Sequence, residues 1–401
     1  MKTSNYIIFF TIVLTVYFSV NFYIFIRGWQ VLPRGSILRA PYVILFLFLS
    51  LSFIAGRLLE RLTICAASSA LIWIGSFWLG LMLYLFLGAL LCDLLRLGSL
   101  AFHVVPRESA RYLAVKQAAA AIVAVLAFVA VFAGHLNTLH PRIKTVSVNV
   151  PKTGGGLGVL NIALVTDIHL GTIIKNSRLQ KMVDMINSLR PDIVLLGGDI
   201  VDEDLAPVIK NNLGGLLGTI RSRYGTYAVT GNHEFIGGAG RACRYLGEHG
   251  VTMLRDRVLL VDNGFYLVGR EDVSIAQFTG RKRATLEELM KGVDRSKPVI
   301  LMDHQPLRLS SAVENGVDLQ VSGHTHHGQL WPASLITGLI YRISHGYGRI
   351  GDTHFYVSSG YGTWGPPARV GTTPEVVHIQ VRFAGDVKGP RQAIPAPRHP
   401  R

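Results

Sequence analysis

The sequence has few charged residues and very few cysteines. Asp, Glu, Lys and Arg make up 16% of its 401 residues, and the mean hydropathy is +0.36. This composition excludes an ordinary soluble protein over the whole length, because so apolar a chain needs a bilayer around part of it. The three cysteines, Cys65, Cys92 and Cys243, form neither a disulfide framework nor a zinc spacing. They leave the redox compartment open.

Acidic residues are the scarcer of the two charge types. The chain has 25 Asp and Glu against 40 Lys and Arg, a formal net charge of +15. After residue 140 no run of basic residues is interleaved with aromatic ones, so we predict no nucleic-acid partner. In a chain this apolar, basic residues typically face anionic lipid headgroups. The lipid bilayer is therefore a predicted partner.

The apolar residues crowd into four long runs in the first third of the chain. A helix needs roughly 20 apolar residues to cross the hydrocarbon core of a bilayer. Three runs reach that length, and the second does so only if Leu58 and Leu59 continue it past Arg57. We predict a membrane domain over 1–140 with about four spanning helices, three being the alternative. The runs are Tyr6 to Ile26, Ala40 to Gly56, Thr63 to Cys92 and Gln117 to Leu139.

The Lys and Arg residues beside these runs give a weak indication of orientation. Slightly more of them lie in the first and third loops than on the other side. Since basic loops stay in the cytoplasm, this distribution favours an extracytoplasmic position for everything after the fourth run. We therefore predict an integral, multi-pass protein of the cell inner membrane.

From about Val146 the sequence changes to short apolar runs that each end in a small or polar turn. Continuous runs of this length are typical of strands buried on both faces. Helical patterns such as Ser177 to Leu189 and Thr285 to Val293 separate several of them, which predicts an α/β layered domain over 141–384. The segment 385–401, rich in Pro, Ala and Arg, is predicted to be disordered. The runs are Val159 to Asp167, Asp192 to Asp199, Gly225 to Asn232, Pro298 to His304, Val317 to His324, Thr353 to Gly360 and Val376 to Phe383.

Five of these runs end in residue types that bind metals. Each residue alone would more often be structural, but the carboxyl ends of strands in an open α/β sheet converge on one crevice. In Asp167-x-His169 and His324-x-His326, residues i and i+2 of an extended chain point to the same side, so both can reach one ion. Mixed His, Asn and carboxylate ligands suit Mn, Fe, Zn or Co rather than calcium. The residues are Asp167, His169, Asp199, Asn232, His233, His304, His324 and His326.

These motifs carry a family resemblance. In chain order D-x-H, G-D-x-x-D, G-N-H-E, a lone His and G-H-x-H resemble the calcineurin-like metallophosphoesterase superfamily over about Asn161 to Gln329. The long form S-G-H-T-H-x-G-Q, the ending Gly360 to Glu375 and the amino-terminal helices are similar to its branch called transmembrane protein with metallophosphoesterase domain. That branch usually has Gly at the position of His327, so His327 is not counted as a ligand.

The resemblance implies a four-layer α/β/β/α sandwich after the membrane helices, with two divalent metal ions. Asp199 would bridge the ions, and His233 would hydrogen-bond the phosphate or protonate the leaving oxygen. Asp202 and Glu234 are open to two interpretations: partners of ligating histidines, or solvated turn residues. The ligands implied for one ion are Asp167, His169, Asp199 and His326. Those for the other are Asp199, Asn232, His304 and His324.

Phosphate esters are anionic and repel a nucleophile, so their hydrolysis needs charge neutralisation and a source of hydroxide at neutral pH, which two divalent ions supply. The predicted activity is that of a metal-dependent phosphodiesterase-type hydrolase, in which metal-activated hydroxide attacks a phosphodiester or pyrophosphate bond. The resemblance to membrane-associated relatives implies a lipid-linked substrate, such as a UDP-diacylglucosamine-like intermediate of lipid A synthesis.

The segment Gln329 to Ile343 follows the last motif and carries apolar residues near helical spacing, among them Leu335 and Leu339. It is either a covered core helix or a stripe that meets the bilayer or an acyl chain. Arg349 and Arg369 are candidate substrate-binding residues, because Arg binds phosphate bidentately.

Two other functions stay open from the sequence. One is the same chemistry on a soluble cyclic nucleotide or phosphoprotein, with the helices serving only as an anchor. The other is a non-catalytic, metal-binding membrane scaffold. The second is the weaker, because every ligand position that the resemblance implies is filled in this chain.

Overall fold

The computed structural model describes residues 3–101 and 111–384. The predicted disordered segment 385–401 lies outside the described residues. The structure divides visibly into a helical part, which ends at Thr138, and a part built on β-sheets, which begins at Arg142.

Four long helices form the amino-terminal part: α1 (Thr3–Trp29), α2 (Arg39–Leu62), α3 (Ala66–Ala101) and α4 (Arg111–Thr138). Each is long and apolar enough to cross a membrane. All four predicted helices are present in the described residues, and their crossing of a membrane stays a prediction. The second apolar run does continue through Leu58 and Leu59, since helix α2 reaches Leu62.

Helices α2 and α3 pack closely because glycines at their interface let the two backbones approach each other. A Cβ atom added to Gly56 would lie 2.7 Å from the backbone nitrogen of Ile72, and one added to Gly75 would lie 2.2 Å from the backbone nitrogen of Phe53. In a lipid bilayer, where the hydrophobic effect does not drive helices together, close packing at small residues is a common way for helices to associate. This pair holds the carboxyl end of α2, which carries Arg57 and Glu60, in a defined place.

Two six-stranded sheets follow. The first has the order β1-β12-β2-β3-β4-β5, and β2 to β5 run parallel. Its strands are β1 (Arg142–Val150), β2 (Val159–Val165), β3 (Ile193–Leu196), β4 (Thr226–Ala228), β5 (Val251–Met253) and β12 (Glu375–Phe383). The second has the order β10-β11-β9-β8-β7-β6, with antiparallel pairs only at its two edges. Its strands are β6 (Arg257–Val261), β7 (Phe265–Gly269), β8 (Val299–Met302), β9 (Leu319–Ser322), β10 (Gly346–Ile350) and β11 (Thr353–Val357).

Three layers of apolar side chains hold the sandwich together. One lies between the two sheets and includes Ile162 and Ile300. A second lies between the first sheet and helices such as α5 (Asn176–Ser188) and α9 (Ala239–Glu248). A third covers the outer face of the second sheet under α11 (Leu286–Leu289) and α12 (Leu309–Glu314). The predicted α/β/β/α order of layers is therefore confirmed, and continuous apolar strands were the correct sign of it. The remaining helices are α6 (Ala206–Lys210), α7 (Leu213–Leu217), α8 (Asn232–Gly237), α10 (Ile275–Thr279) and α13 (Ala333–Ile340).

One predicted helix is much shorter in the structure. The pattern Thr285 to Val293 yields only α11, a single turn. Thr285 caps its start by accepting a hydrogen bond from the backbone N–H of Glu288. Gly292 then adopts a φ of +82°, a left-handed conformation that ends helical structure.

The sandwich contacts the helical part at the ends of α2 and α4. The loop around Arg369 lies along the end of α4, where the Arg369 backbone N–H donates to Gly134 at 3.0 Å. The Asn137 side chain donates to the carbonyls of Arg369 and Thr372 at 3.0 and 2.7 Å. Leu330, just after the last metal-binding motif, packs against Val131 of α4. One end of the helical part thus contacts loops that flank the candidate site.

Candidate metal centre

All the predicted metal-binding residues come together where the carboxyl ends of strands from both sheets meet. The parallel strands determine this meeting point, because each one delivers its turn to the same edge. Three turns come from the first sheet and two from the second. After β2 come Asp167 and His169, after β3 Asp199, after β4 Asn232 and His233, after β8 His304, and after β9 His324 and His326.

Several of these residues have strained backbones. Asp167, His169, Asp199, His324 and His326 have φ values between +47° and +69°. A left-handed conformation costs a non-glycine residue about 1–2 kcal/mol, and such strain typically collects at functional sites. Hydrogen bonds between neighbouring turns stabilise these backbone conformations. One runs from the His169 backbone N–H to the Asp199 carbonyl at 3.0 Å.

The side chains form overlapping groups that could hold metal ions. Asp167, His169 and His326 have ligand atoms within 4.8 Å of one another, and so do Asp199, His304 and His324. Within the first group His326 Nε2 lies 3.4 Å from Asp167 Oδ1. Asp199 is near both groups, since its Oδ2 lies 4.0 Å from His169 Nε2 and 3.1 Å from His304 Nε2.

The ring nitrogen Nε2 of His304 and the carboxylate of Asp199 are arranged so that they could bind a cation between them. His304 Nδ1 lies 2.8 Å from the carbonyl oxygen of Gly197, which has to accept a hydrogen bond from it. Nε2 is therefore the nitrogen that faces the Asp199 carboxylate, and it is buried without a hydrogen bond. Burial disfavours charge on His304, but the carboxylate of Asp199 outweighs it and raises the pKa of His304 well above its usual range. Positive charge between these two groups, as a divalent metal ion would supply, is what the arrangement favours.

The remaining candidate ligands contact these groups directly. His324 Nδ1 lies 2.9 Å from Asn232 Oδ1. The backbone N–H of His324 donates to Asp167 Oδ1 at 2.9 Å, which ties the last motif to the first. Burial, together with nearby His304, lowers the pKa of His324, so its imidazole is neutral and has a lone pair for a metal.

His233 sits at the edge of the same cluster. It is buried, and its Nδ1 lies 3.3 Å from Asp202 Oδ1. Burial disfavours its charged form, but Asp199 and Asp202 outweigh it and raise the pKa of His233 to about 9. Since Nδ1 faces Asp202, Nε2 is the ring nitrogen that could face a substrate. The ring of Trp364 lies 5.8 Å away.

The two acidic residues with open interpretations have different roles. Asp202 contacts His233 as described, so it is a partner of a site histidine. Glu234 is buried and accepts hydrogen bonds at 2.7–3.0 Å from four backbone N–H groups. It therefore ties the turn after β3 to the turn after β4, a role that neither interpretation included. The four donors are Asp199, Ile200, Val201 and Gly231.

The two predicted substrate-binding arginines have other contacts. Arg369 is 1% exposed, donates to the Gly362 carbonyl at 2.7 Å and lies 3.3 Å from His326 Nδ1. Its side chain is buried beside a candidate ligand and contacts protein groups, and its contact with a substrate phosphate stays a prediction. Arg349 is exposed, and its Nη2 pairs with Asp352 at 3.0 Å within its own hairpin. In the part of the chain that the structure describes, no contact joins Arg349 to a candidate ligand.

His327 belongs to none of the metal-binding groups among the described residues. Its ring packs against His345, with 4.4 Å between ring centroids. That His327 is not a ligand stays a prediction. Thr166 and Trp364 are contacts that the residue patterns did not single out: the Thr166 hydroxyl donates to Asp167 Oδ2, and Trp364 lies beside His233.

Gly231 tests whether the Asp199 carboxylate binds metal where the structure places it. A Cβ atom there would lie 2.1 Å from Asp199 Oδ1. We expect Gly231→Ala to displace the carboxylate and weaken Mn²⁺ binding by about 10- to 100-fold, measured by equilibrium dialysis. Gly247→Ala in α9 is the matched control, since a Cβ atom there meets nothing within 4 Å. Wild-type affinity in Gly231→Ala would contradict the assignment.

Comparison with known proteins agrees with this geometry. The sequence model described as calcineurin-like phosphoesterase matches residues 160–328. An uncharacterized metallophosphoesterase of Aquifex aeolicus is 30% identical over 264 residues, 65% of this chain and 100% of its own length. A metallophosphoesterase of Helicobacter pylori is 33% identical over 248 residues, 60% of this chain and 64% of its own length. The transmembrane protein with metallophosphoesterase domain of Bos taurus is 31% identical over 293 residues, 69% of this chain and 65% of its own length.

Proposed function

The chain belongs to the calcineurin-like metallophosphoesterase family, and on that basis we propose that it is a membrane-anchored dimetal phosphohydrolase. Its reaction would be cleavage of a phosphodiester or pyrophosphate bond in a lipid-linked substrate. The observation that carries the substrate class is the exposed apolar helix α13, which follows Leu330, packed against Val131 of α4, and precedes Tyr341, whose ring lies 6.3 Å from that of His324.

The proposed ligands fall into two sets that share Asp199. Divalent ions bound by them would neutralise the charge of the phosphate and lower the pKa of a water molecule. Asp199 supports the sharing, since it lies near both His169 and His304. One set is Asp167, His169, Asp199 and His326. The other is Asp199, Asn232, His304 and His324.

His233 would act on the substrate rather than on a metal. Its Nε2 would share a proton with a phosphate oxygen or give one to the leaving oxygen. Asp202 Oδ1 lies 3.3 Å from the opposite ring nitrogen, Nδ1, so Nε2 points away from Asp202. His233 is buried beside His169, with 4.5 Å between the two ring centroids, which keeps it in one orientation.

Helix α13 supports a lipid-linked substrate. None of its residues is buried, and Leu335 and Leu339 are 63% and 88% exposed. The interpretation as a covered core helix is therefore wrong. A contiguous exposed apolar surface typically marks contact with a membrane, a ligand or a partner. Its position favours the membrane, because the preceding Leu330 packs on α4 and the following Tyr341 lies 6.3 Å from the His324 ring.

The same reasoning supports a multi-pass placement in the inner membrane. The four helices would cross the bilayer, and α13 would lie in its surface on the side of the sandwich. The weak excess of basic residues in the first and third loops favours the extracytoplasmic side for that face. The bilayer would then present a lipid-linked phosphate directly to the metal centre.

Replacing Leu335 and Leu339 together by Ser tests the lipid-linked substrate. We expect hydrolysis of a phosphodiester lipid in vesicles to fall about tenfold or more, because two large apolar side chains leave the membrane surface. Hydrolysis of a water-soluble aryl phosphodiester should not change. The full-length protein in lipid nanodiscs or detergent would be assayed on both substrates.

Leu260→Ser is the matched control, since Leu260 is also exposed but lies on β6 at the opposite edge of the second sheet from β10. Equal effects of the α13 substitutions on vesicle and soluble substrates would reject the lipid-linked substrate. The soluble alternative, a cyclic nucleotide or phosphoprotein, would then be favoured.

A further inference from the structure

We propose that Arg57, in membrane helix α2, is a positioning residue of the catalytic site. It holds the Asp202 carboxylate, which in turn orients His233 and His169. This inference deepens the proposed function and rests on it. It means that the membrane segment contributes to the site itself as well as anchoring the sandwich.

The first step is the ion pair between the helix and the turn after β3. Arg57 Nη2 donates to Asp202 Oδ2 at 2.8 Å. The two side chains are 22% and 14% exposed, so water screens the pair less than it screens a surface pair. The Asp202 backbone is also held, because its N–H donates to the Leu170 carbonyl at 2.9 Å. The backbone of Asp202 is therefore held in place, and the ion pair with Arg57 sets the rotation of its carboxylate.

The second step is the other oxygen of the same carboxylate. Asp202 Oδ1 lies 3.3 Å from His233 Nδ1 and 3.6 Å from His169 Nδ1. Both distances are longer than a well-formed hydrogen bond, so a small rotation of the carboxylate would make or lose either contact. With Oδ2 held by Arg57, Oδ1 stays between the two histidines. One of them is the proposed proton donor, and the other is a proposed metal ligand.

The third step is the second arm of the guanidinium. Arg57 Nη1 lies 3.3 Å from Glu60 Oε2 on the same helix. The other oxygen of Glu60 accepts a hydrogen bond from the hydroxyl of Thr172, three residues after His169. Glu60 and Thr172 are both buried. The end of α2 thus contacts the turn after β2 and the turn after β3, the two turns that supply Asp167, His169 and Asp199.

The planar, forked guanidinium suits this task better than another cation. Its two terminal nitrogens reach two carboxylates that face in different directions, whereas a lysine offers one point charge. Asp202 needs a cation beside it, because a largely buried carboxylate without a partner would turn towards water. Arg57 supplies that charge from outside the sandwich.

The test is a double-mutant cycle on the full-length protein in nanodiscs. The four proteins are the wild type, Arg57→Ala, Asp202→Ala and the double variant, with two readouts: the Mn²⁺ dissociation constant by equilibrium dialysis, and kcat and KM at saturating Mn²⁺. We expect Arg57→Ala to weaken Mn²⁺ binding and lower kcat about tenfold each, with KM nearly unchanged, because partners of ligating residues have effects of that size. In the Asp202→Ala background the same substitution should cost nothing further.

Two more variants separate positioning from folding. Arg61→Ala, on the same helix but exposed, should match the wild type in both readouts. Arg57→Lys should recover part of kcat, and millimolar guanidinium should restore Arg57→Ala but not Asp202→Ala. Full losses that add in the double variant, or no response to guanidinium, would show that Arg57 only supports the fold and would overturn the proposal.

The readouts also separate this inference from the proposed function. A wild-type protein that binds Mn²⁺ but hydrolyses no phosphodiester would reject the proposed function. The dissociation constants would still decide about Arg57. Equal Mn²⁺ affinity in the wild type and Arg57→Ala, with equal kcat where turnover is seen, would refute the positioning role.

Discussion

Replacing Asp199 by Asn is expected to abolish metal-dependent hydrolysis of an aryl phosphodiester, with a loss in kcat of more than about 100-fold. Partners that only contact a ligand already account for 10- to 100-fold, and Asp199 is the carboxylate near both proposed metal-binding groups. Asparagine keeps the shape and removes the charge that holds two cations together.

The fold should survive this change. Asp199 Oδ1 accepts a hydrogen bond from the His233 backbone N–H at 2.8 Å, which an asparagine oxygen can also accept. The new amide N–H₂ would face His304 Nε2, a buried atom without a hydrogen bond, and could donate to it. Loss of activity with an unchanged thermal unfolding midpoint would therefore point to the metal centre.

The assay compares an aryl phosphodiester with its matching monoester, with Mn²⁺ added and the metal content of the protein measured. Asp184→Asn is the matched control, since Asp184 is an exposed aspartate on α5 away from the candidate ligands. Wild-type turnover in Asp199→Asn would contradict the dimetal assignment. Bound metal without turnover of either ester in the wild-type protein would favour the non-catalytic scaffold.

Replacing His233 by Ala is expected to lower kcat for a phosphodiester with an alkyl leaving group by about 10²- to 10⁴-fold, the usual contribution of a positioned acid. The loss should be much smaller with a 4-nitrophenyl leaving group, because a stable phenolate departs without a proton. His140→Ala is the control, since that histidine is exposed and its Nδ1 lies 2.8 Å from the Leu136 carbonyl at the end of α4.

Metal content separates the two roles open to His233. Its side chain also groups with His169 and Asp199, a set that could itself bind an ion. If His233 acts only on the substrate, His233→Ala should bind as much Mn²⁺ as the wild type. Reduced metal content would make it a ligand. Equal losses with both leaving groups and full metal content would make it a phosphate-binding group instead of an acid.

The candidate ligands could be predicted because each one belongs to a short local pattern. A buried apolar strand followed by Asp, Asn or His is visible in the sequence, and parallel strands of one sheet bring their carboxyl ends to one edge. Asp167, Asp199 and His304 are therefore recognisable without coordinates. The same holds for the four long apolar runs, whose length alone predicts membrane helices.

The roles of other polar residues could not be predicted in this way. Arg369 and Arg349 are the same residue type in similar surroundings of sequence, yet one is buried under His326 and the other is paired on the surface. Glu234 serves backbone groups of a neighbouring turn, which only the packing of two strands brings within reach. Whether a single polar side chain is buried depends on which distant segments of the chain pack around it.

Helix α13 shows the same limit for apolar residues. Its helical spacing is equally compatible with a covered helix and with an exposed one, because periodicity reports that one face is apolar and not what covers that face. The structure leaves Leu339 exposed. That exposure carries the proposal of a lipid-linked substrate.

The sequence by itself determined the four long apolar helices, the layered sandwich and the residues that could bind metal, since all three follow from local patterns of length, apolarity and spacing. Only the tertiary structure decided that α2 reaches the site. Arg57 and Asp202 are 145 positions apart, and their pairing depends on how helix α2 docks on two turns of the sandwich. No local pattern encodes that docking, because it is the sum of weak contacts between segments that are distant in the chain.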